Sequence, residues 1–495
     1  MKYFPVIGME VHAELKTESK MFCRCKNGLG LEREPNLHIC PVCTGQPGTL
    51  PVPNAKAIEA VQRVGLALGC TLRLDSKFDR KNYFYPDLPR GYQISQYDEP
   101  FCEKGEVGIE GKKFRITRIH LEEDTGKSMH PDGANYTLVD FNRAGVPLME
   151  LVTEPDFESG KEARAFCQKL QQILRYLEVS DADMEKGQMR CEVNISLYEE
   201  GKERLSGTKV EIKNLNSFKT VERAVDYEIK RQTEALEKGE KIVQETRGWD
   251  EGRGATVSQR KKESAHDYRY FPEPDIPPFA FDEAYVEHLR STVPELPDAK
   301  AKRFVTEYAL PETDALTLTS EKEFAAYFEA AVSEITEKVK SKEVKAPLPK
   351  AVKLLSNYML TEFRKYLSEH NKTIAEMPIT PENYAEFIGI VADGKINSSA
   401  AQTVLAEMYK GNDGDIDSDS DPSHIIDRLN LGQVNDSDAL EKAVDLVLER
   451  NEKSVADFKA GKQNALQFLM GQVMAETKGK ANPPMVLEML RKKLT

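Results

Sequence analysis

VIGMEVHAEL, residues 6–15, alternates strictly: Ile7, Met9, Val11 and Ala13 fall on one side, Gly8, Glu10, His12 and Glu14 on the other. A period of two is the signature of a strand with one buried face. MRCEVNISL, residues 189–197, repeats the scheme, with Met189, Cys191, Val193, Ile195 and Leu197 opposed to Arg190, Glu192, Asn194 and Ser196. KVEIKNL, residues 209–215, sets Val210 and Ile212 against Lys209, Glu211 and Lys213. The second face of these strands is charged rather than merely polar, so it is expected to line a cavity.

Helical spacing intervenes in GKEARAFCQKLQQILRYLEV, after Ser159-Gly160, and in SFKTVERAVDYEIKRQTEALEKG, after Asn216. Strands and helices do not alternate one for one, which predicts an α+β fold with a largely antiparallel sheet. The extended, proline-rich FPEPDIPP, residues 271–278, closes this region. Beyond about residue 293 the pattern is helical throughout: EKEFAAYFEAAVSEITEKV, LPKAVKLLSNYMLTEFRKYL and SSAAQTVLAEMYK. GNDGDIDSDSDPS, residues 411–423, is too polar to bury a core and reads as a linker, followed by a short helical module. The expected domains are therefore 1–292, 293–410 and 411–495.

A chain of 495 residues with a net charge of -13 is not built to coat nucleic acid non-specifically, which rests on neutralised phosphates, although a local basic surface stays open. No apolar run approaches the roughly 20 residues of a membrane span. The N-terminus carries no basic and apolar leader, so a cytoplasmic protein is expected. Of eight cysteines, Cys23 and Cys25 form a C-x-C pair and Cys40 and Cys43 a C-x-x-C pair. Two short-spaced thiolate pairs suit structural, tetrahedral Zn²⁺; a redox pair or unrelated buried thiols are the alternatives.

Glu10 and His12, two apart on a strand, leave it from one face. RIHLEEDTGKS, residues 118–128, brings Glu122, Glu123 and Asp124 to a strand end, and Glu150 stands alone inside the apolar VPLMELV. Buried carboxylates are paired or metal-bound, and oxygen ligands with one imidazole suit Mg²⁺ carrying ATP phosphates; salt-bridged structural residues are the plainer reading. There is no G-x-x-x-x-G-K-[ST] and no G-x-G-x-x-G after a strand, so a nucleotide site would be of another kind.

At these residues the chain resembles the B subunits of the heterotrimeric glutamyl-tRNA(Gln)/aspartyl-tRNA(Asn) amidotransferases. VIGMEVHAELKTESKMF, KFDRKNYFYPDLPRGYQISQYD, HLEEDTGKS, EIKNLNSF and DYRYFPEPDIPP stand in family order, and the likeness runs almost end to end. It implies a glutamine-synthetase-like cradle domain, a helical domain and a small α-helical tail domain. It also implies a reaction: ATP phosphorylates the side-chain carboxylate of Glu or Asp esterified to tRNA(Gln) or tRNA(Asn), and ammonia then displaces phosphate. The ammonia would come from the amidase of the family's heterotrimer, its A subunit, and a small third protein, the C subunit, would complete the assembly. By motif position Glu10, His12, Glu123 and Glu150 would bind Mg²⁺, with Glu122 beside them as a catalytic residue. Arg190, Glu192, Asn194, Lys209, Lys213, Asn214 and Asn216 would contact nucleotide or substrate, and Cys23, Cys25, Cys40 and Cys43 match the zinc-bearing members.

The tail would grip tRNA. From Asp457 onward, Lys459, Lys462, Lys478, Lys480, Arg491, Lys492 and Lys493 outnumber Asp457, Glu476 and Glu488; Lys462, Lys478 and Lys480 are the expected phosphate contacts. A non-catalytic tRNA-binding protein with purely structural carboxylates is the competing reading. No amidase signature is present, so ammonia would come from a partner.

Overall fold

The computed structural model describes residues 2–28, 34–261, 268–410, 420–432, 437–459, 461–462, 464–477 and 480–494. The chain divides into two compact units, Met1–Leu296 and Pro297–Thr495.

The first unit is organised by a nine-stranded sheet. Its order is Ala255–Lys261, Glu245–Asp250, Val210–Leu215, Met189–Glu199, Tyr3–Glu14, Pro147–Thr153, Lys112–Glu123, Cys102–Ile109 and Thr71–Leu72. The stretch that opens the sequence is thus the central strand. Neighbours pair antiparallel except Val210–Leu215 and Glu245–Asp250, which run parallel. A parallel pair needs a crossover, and the helix Phe218–Glu237 supplies it.

The alternation read from the sequence is the alternation in space. Ile7, Met9, Val11 and Ala13 are all buried, as are Met189, Cys191, Val193, Ile195 and Leu197, and all but Leu197 join one apolar core under the helices Ala55–Ala67, Gly160–Tyr176 and Phe218–Glu237. Ser159 and Ser217 cap two of these helices, each side chain accepting from a backbone N–H in the first turn, that of Glu162 and that of Thr220. That fixes both helix starts where the serines stand. Burying each large apolar side chain is worth about 1.5–3 kcal/mol. The opposite, polar face of the same strands therefore has its position set by the core.

A second, three-stranded sheet orders Phe271–Pro272, Asp79–Asn82 and Tyr92–Ser95. The proline-rich segment thus enters a strand at its start, Phe271 pairing with Arg80, before it turns. The helix Glu283–Ser291 follows and still packs on the first unit's core through Leu289.

The second unit is helical in its described residues. One core cluster runs from Ala301 to Ile425, and another joins Leu440 to Leu494. The segment 348–367, which reads as one helix, is interrupted: Leu348–Tyr358 and Arg364–His370 are separated by a π-turn at Met359–Phe363. Residues 411–419 of the acidic run lie outside the described residues. Its end starts a helix, Pro422–Leu429, whose cap Asp421 accepts from the Ser423 and His424 amides. Ile425 then packs with the first of the two clusters, so the tail's own core begins only at Leu440. Among the described residues no helix is long and apolar enough to cross a membrane.

Candidate active site

Strand register builds the site. Arg190 stands opposite His12, His12 opposite Glu150, and Glu150 opposite His120, so one row of polar side chains crosses four strands. Glu10 sits one step along, opposite Glu192. Directly opposed side chains on one face lie within contact range. His12 Nε2 is 3.3 Å from Glu150, 3.8 Å from Glu122 and 4.0 Å from Glu10. His120 Nε2 is 3.2 Å from Glu150 and 3.8 Å from Glu122. The cluster is recessed but reachable: Glu122 and Glu150 are buried, while His12 and Glu10 retain 14% and 27% exposure.

Three carboxylates this close need positive charge. Burial opposes ionisation of Glu150, yet His120 and His12 hold its carboxyl well below the ordinary range. Burial likewise opposes a charge on His12, but the hydrogen bond to Glu150, with Glu122 and Glu10 nearby, carries it up to about 9. Glu10 is left over. Burial, then repulsion from Glu150, pushes it up to about 7, so Glu10 is only partly ionised at neutral pH. Donor atoms of Glu10, His12 and Glu150 all lie within 4.8 Å of one another, as do those of His120, Glu122 and Glu150. Carboxylate oxygens with imidazole, in a site short of positive charge, fit a divalent cation.

Cations line the rim. Lys81 Nζ, from the small sheet, is 3.9 Å from Glu122, and Arg118 is 3.9 Å from Glu150. Ser95 Oγ donates to Glu122 at 2.9 Å. Lys213 bonds Glu192 at 2.8 Å and lies 3.5 Å from Glu211, placing a lysine beside Glu10. His120 and Lys81 are missing from the residues chosen by sequence. His120 carried a signal, since it precedes Glu122 by two on the same strand. Lys81 carried none, because it reaches the cluster from a different sheet.

One expected ligand stands elsewhere. Glu123 leaves its strand on the side opposite Glu122, as adjacent strand residues must. There its carboxylate takes the Arg90 guanidinium and accepts the Ile94 amide at 3.1 Å. The structure therefore replaces Glu123 by Glu122 in the cluster. Asp124, at the strand end, pairs with Arg190 and lies 3.6 Å from Arg143. Beside it Glu14 is pushed up to about 8 by burial and by Asp124.

The seven residues expected to contact nucleotide or substrate divide. Arg190, Glu192 and Asn194 share the polar face, and Lys213 joins them. Lys209 is exposed and precedes its strand, about 13 Å along from Lys213 at roughly 3.3 Å per residue. Asn214 and Asn216 are exposed beyond Lys213, Asn214 in the left-handed region with φ 62°. These three are not brought to the cluster.

The sulfur atoms of Cys23, Cys25, Cys40 and Cys43 lie within 4.8 Å of one another. A hydrogen bond from Cys23, helped against burial by the nearby Lys20 ammonium, draws Cys43 down to about 5, whereas burial raises Cys25 to about 11. Such a set, with one thiolate beside protonated neighbours, fits a thiophilic cation that would take all four. Lys20 is itself buried, donating to the His38 carbonyl at 2.8 Å and standing 3.9 Å from Cys43 Sγ. In the tail, exposed Lys462 pairs with Asp457 at 2.9 Å, Lys480 is partly exposed, and Lys478 lies outside the described residues.

A sheet whose polar face gathers carboxylates, imidazoles and lysines over a packed core defines an α+β protein with a recessed, charged cluster on that face. A family model described as the GatB/GatE catalytic domain matches residues 5–287, and one described as a GatB domain matches residues 327–494. The chain is 49% identical, over the full length of both, to the B subunit of the aspartyl/glutamyl-tRNA(Asn/Gln) amidotransferase of Caldanaerobacter subterraneus subsp. tengcongensis. It is 48% identical to that of Thermotoga maritima and 46% to that of Carboxydothermus hydrogenoformans, covering all of this chain and 99% of each relative. The chain belongs to the GatB family, the B subunits of tRNA amidotransferases.

Two metal predictions follow from this geometry. With Mn²⁺ as a spectroscopic probe, Glu122→Gln and Glu150→Gln should each weaken binding at least about 10-fold, and Glu123→Gln by less than about 2-fold; equal losses in all three would contradict the placement of Glu123. Freshly isolated protein should carry about one Zn²⁺ per chain, and Cys40→Ser should lower the unfolding temperature. Elemental analysis showing no zinc would refute the four-thiolate site.

Proposed function

We propose that this chain activates the side-chain carboxylate of Glu-tRNA(Gln), Asp-tRNA(Asn) or both with ATP, and then amidates it with ammonia from a glutaminase partner. The observation that carries the reading is the Glu10, His12, Glu122, Glu150 and His120 cluster on one sheet face, with Lys81 at its rim. Its relatives are named as B subunits of aspartyl/glutamyl-tRNA(Asn/Gln) amidotransferases. The polar face would be the floor of a glutamine-synthetase-like cradle.

Phosphoryl transfer demands in-line positioning and neutralised charge more than covalent help. Glu10, His12, Glu122 and Glu150 would hold Mg²⁺, which when bound supplies charge neutralisation at phosphate oxygens. Lys81, Arg118 and Lys213 would orient the anionic groups of ATP and the substrate carboxylate. The γ-phosphoryl passes to a carboxylate oxygen, the bond to the β-phosphate breaks, and ADP leaves. Ammonia then attacks the carbonyl carbon and expels phosphate, leaving an amide. Recession of Glu122 and Glu150 limits water, the competing nucleophile. The four-cysteine Zn²⁺ would be structural. The amidase and the small third protein would complete a cytoplasmic heterotrimer, and Lys462, Lys478 and Lys480 in the tail would contact tRNA phosphates.

Glu150→Ala should lower tRNA-dependent ATP cleavage about 100-fold or more while the partner's glutaminase chemistry persists; undiminished cleavage would refute the assignment. Replacing Lys462, Lys478 and Lys480 by Ala together should weaken tRNA binding and flatten the slope of log affinity against log salt by about one unit for each lysine–phosphate pair removed. Unchanged slopes would remove the tail from tRNA recognition.

A further inference from the structure

Lys20 is 1% exposed, and among the described residues no carboxylate lies within ion-pair distance of its ammonium. It donates to the His38 carbonyl at 2.8 Å and to the Phe141 carbonyl at 3.3 Å, with Cys43 Sγ at 3.9 Å. Burying an ammonium is costly unless an anion answers it. The anion within reach is sulfur: a divalent metal on four thiolates still leaves negative charge for Lys20 to balance.

The same side chain joins two parts of the first unit. His38 belongs to the loop that carries Cys40 and Cys43, whereas Phe141 opens the turn between Leu138–Asp140 and Pro147–Thr153, the strand of Glu150. Backbone bonds continue the link. Met21 donates to the Gly145 carbonyl at 2.7 Å, Gly145 to that of Asp124 at 2.9 Å, and Asp124 to that of Val146 at 2.8 Å. Asp124 is two residues past Glu122 and Val146 four before Glu150, so the strand ends of both carboxylates meet the four-cysteine loop here. The approach is close. Gly145 has φ 86°, and a Cβ on it would stand 3.4 Å from Cys43 Cβ and 3.5 Å from Lys20 Cδ.

Filling that space needs no charge. A methionine would occupy it without the desolvation cost, so what the lysine adds is directed hydrogen bonds and a response to the charge on sulfur. Asn142 joins the same two loops by neutral bonds, accepting from the His38 amide at 2.9 Å and donating to the Glu34 carbonyl at 2.7 Å. An ammonium whose counter-charge comes from a metal–thiolate group carries the state of that group to the strand ends. A neutral amide does not.

We propose that Lys20 is a positioning residue for the cation cluster: balanced by the four-cysteine centre, its ammonium fixes the turn at 141–146 and with it the strand ends that present Glu122 and Glu150. Metal occupancy at the cysteines and cation affinity at the carboxylates are thereby coupled through one side chain. This rests on the two metal sites proposed above.

Mn²⁺ titrations of the full-length chain, followed by electron paramagnetic resonance, test the coupling in zinc-replete and zinc-stripped protein. Wild type should bind Mn²⁺ about 5-fold or more weakly once zinc is removed, and Lys20→Met should be weak in both states, the two differing by less than about 2-fold. Asn142→Ala, which cuts only neutral bonds, should keep the wild-type zinc dependence. If Lys20→Met does not fold, Lys20→Gln, which still donates to a carbonyl but carries no charge, takes its place with the same expectation. Wild-type affinity that ignores zinc overturns the proposal, as does a Lys20→Met that keeps the wild-type response. So does a Lys20→Met that unfolds at lower temperature yet binds Mn²⁺ as tightly as wild type, the mark of a space-filling role. Loss of the response in Asn142→Ala overturns it too, because the link would then run through neutral bonds. A wild type that binds no Mn²⁺ would instead remove the cation site, and one isolated without zinc the four-thiolate site, and the proposal falls with either.

Discussion

The register of the Tyr3–Glu14 strand between its two neighbours is the constraint on which the site depends. Five successive residues pair it with Pro147–Thr153 and eleven with Met189–Glu199. Sliding it by one residue would turn Ile7, Met9, Val11 and Ala13 to the polar face and drive Glu10 and His12 into the core. The first change forfeits several kcal/mol of apolar burial, and the second buries charge without partners. Packing below the sheet therefore enforces chemistry above it. Glu150 and His120 follow from the same register, because the Lys112–Glu123 strand is aligned on Pro147–Thr153 by His120 opposite Glu150.

Held in place this way, the cluster is electrostatically incomplete by itself. Two imidazoles and Lys81 compensate Glu150 and Glu122, while Glu10 still retains a proton to about pH 7. Supports around it steer the strand ends. Met21 donates its amide to the Gly145 carbonyl at 2.7 Å, and Gly145 donates to the Asp124 carbonyl at 2.9 Å. Lys20, next to Met21, reaches the Phe141 carbonyl at 3.3 Å as well as Cys43. The four-cysteine loop is thus joined through a few hydrogen bonds to the end of the strand bearing Glu122. A structural metal there would stiffen the active-site floor without entering the chemistry.

Much of this was legible in the sequence, and the reason is local periodicity. Alternation over residues 6–15 and 189–197 placed the core and the polar face, and two cysteine pairs announced their cluster. Alternation should also have separated Glu122 from Glu123; following the motif as a block hid a distinction that strand geometry makes automatically. His120 was readable on the same grounds. Lys81 was not, because a small second sheet carries it to the site by tertiary contact alone. The same holds for Lys209, Asn214 and Asn216: the motif groups them with Lys213, but Lys209 precedes the strand and the two asparagines sit where it ends. In the helical unit, apolar spacing gave helices but not the π-turn at Met359–Phe363, nor the packing of Ile425 with the cluster that begins at Ala301.

The central claim is that one face of one sheet assembles the cation site from Glu10, His12, Glu122 and Glu150. Anomalous diffraction from crystals of the full chain grown with Mn²⁺ tests it most directly. The account predicts a manganese peak within coordinating distance, about 2.0–2.3 Å, of carboxylate oxygens of Glu150 and at least one of Glu10 and Glu122, with a His12 or His120 nitrogen beside them. A fully occupied peak at Glu123 and Asp124 instead, or none on this face at saturating Mn²⁺, would contradict it.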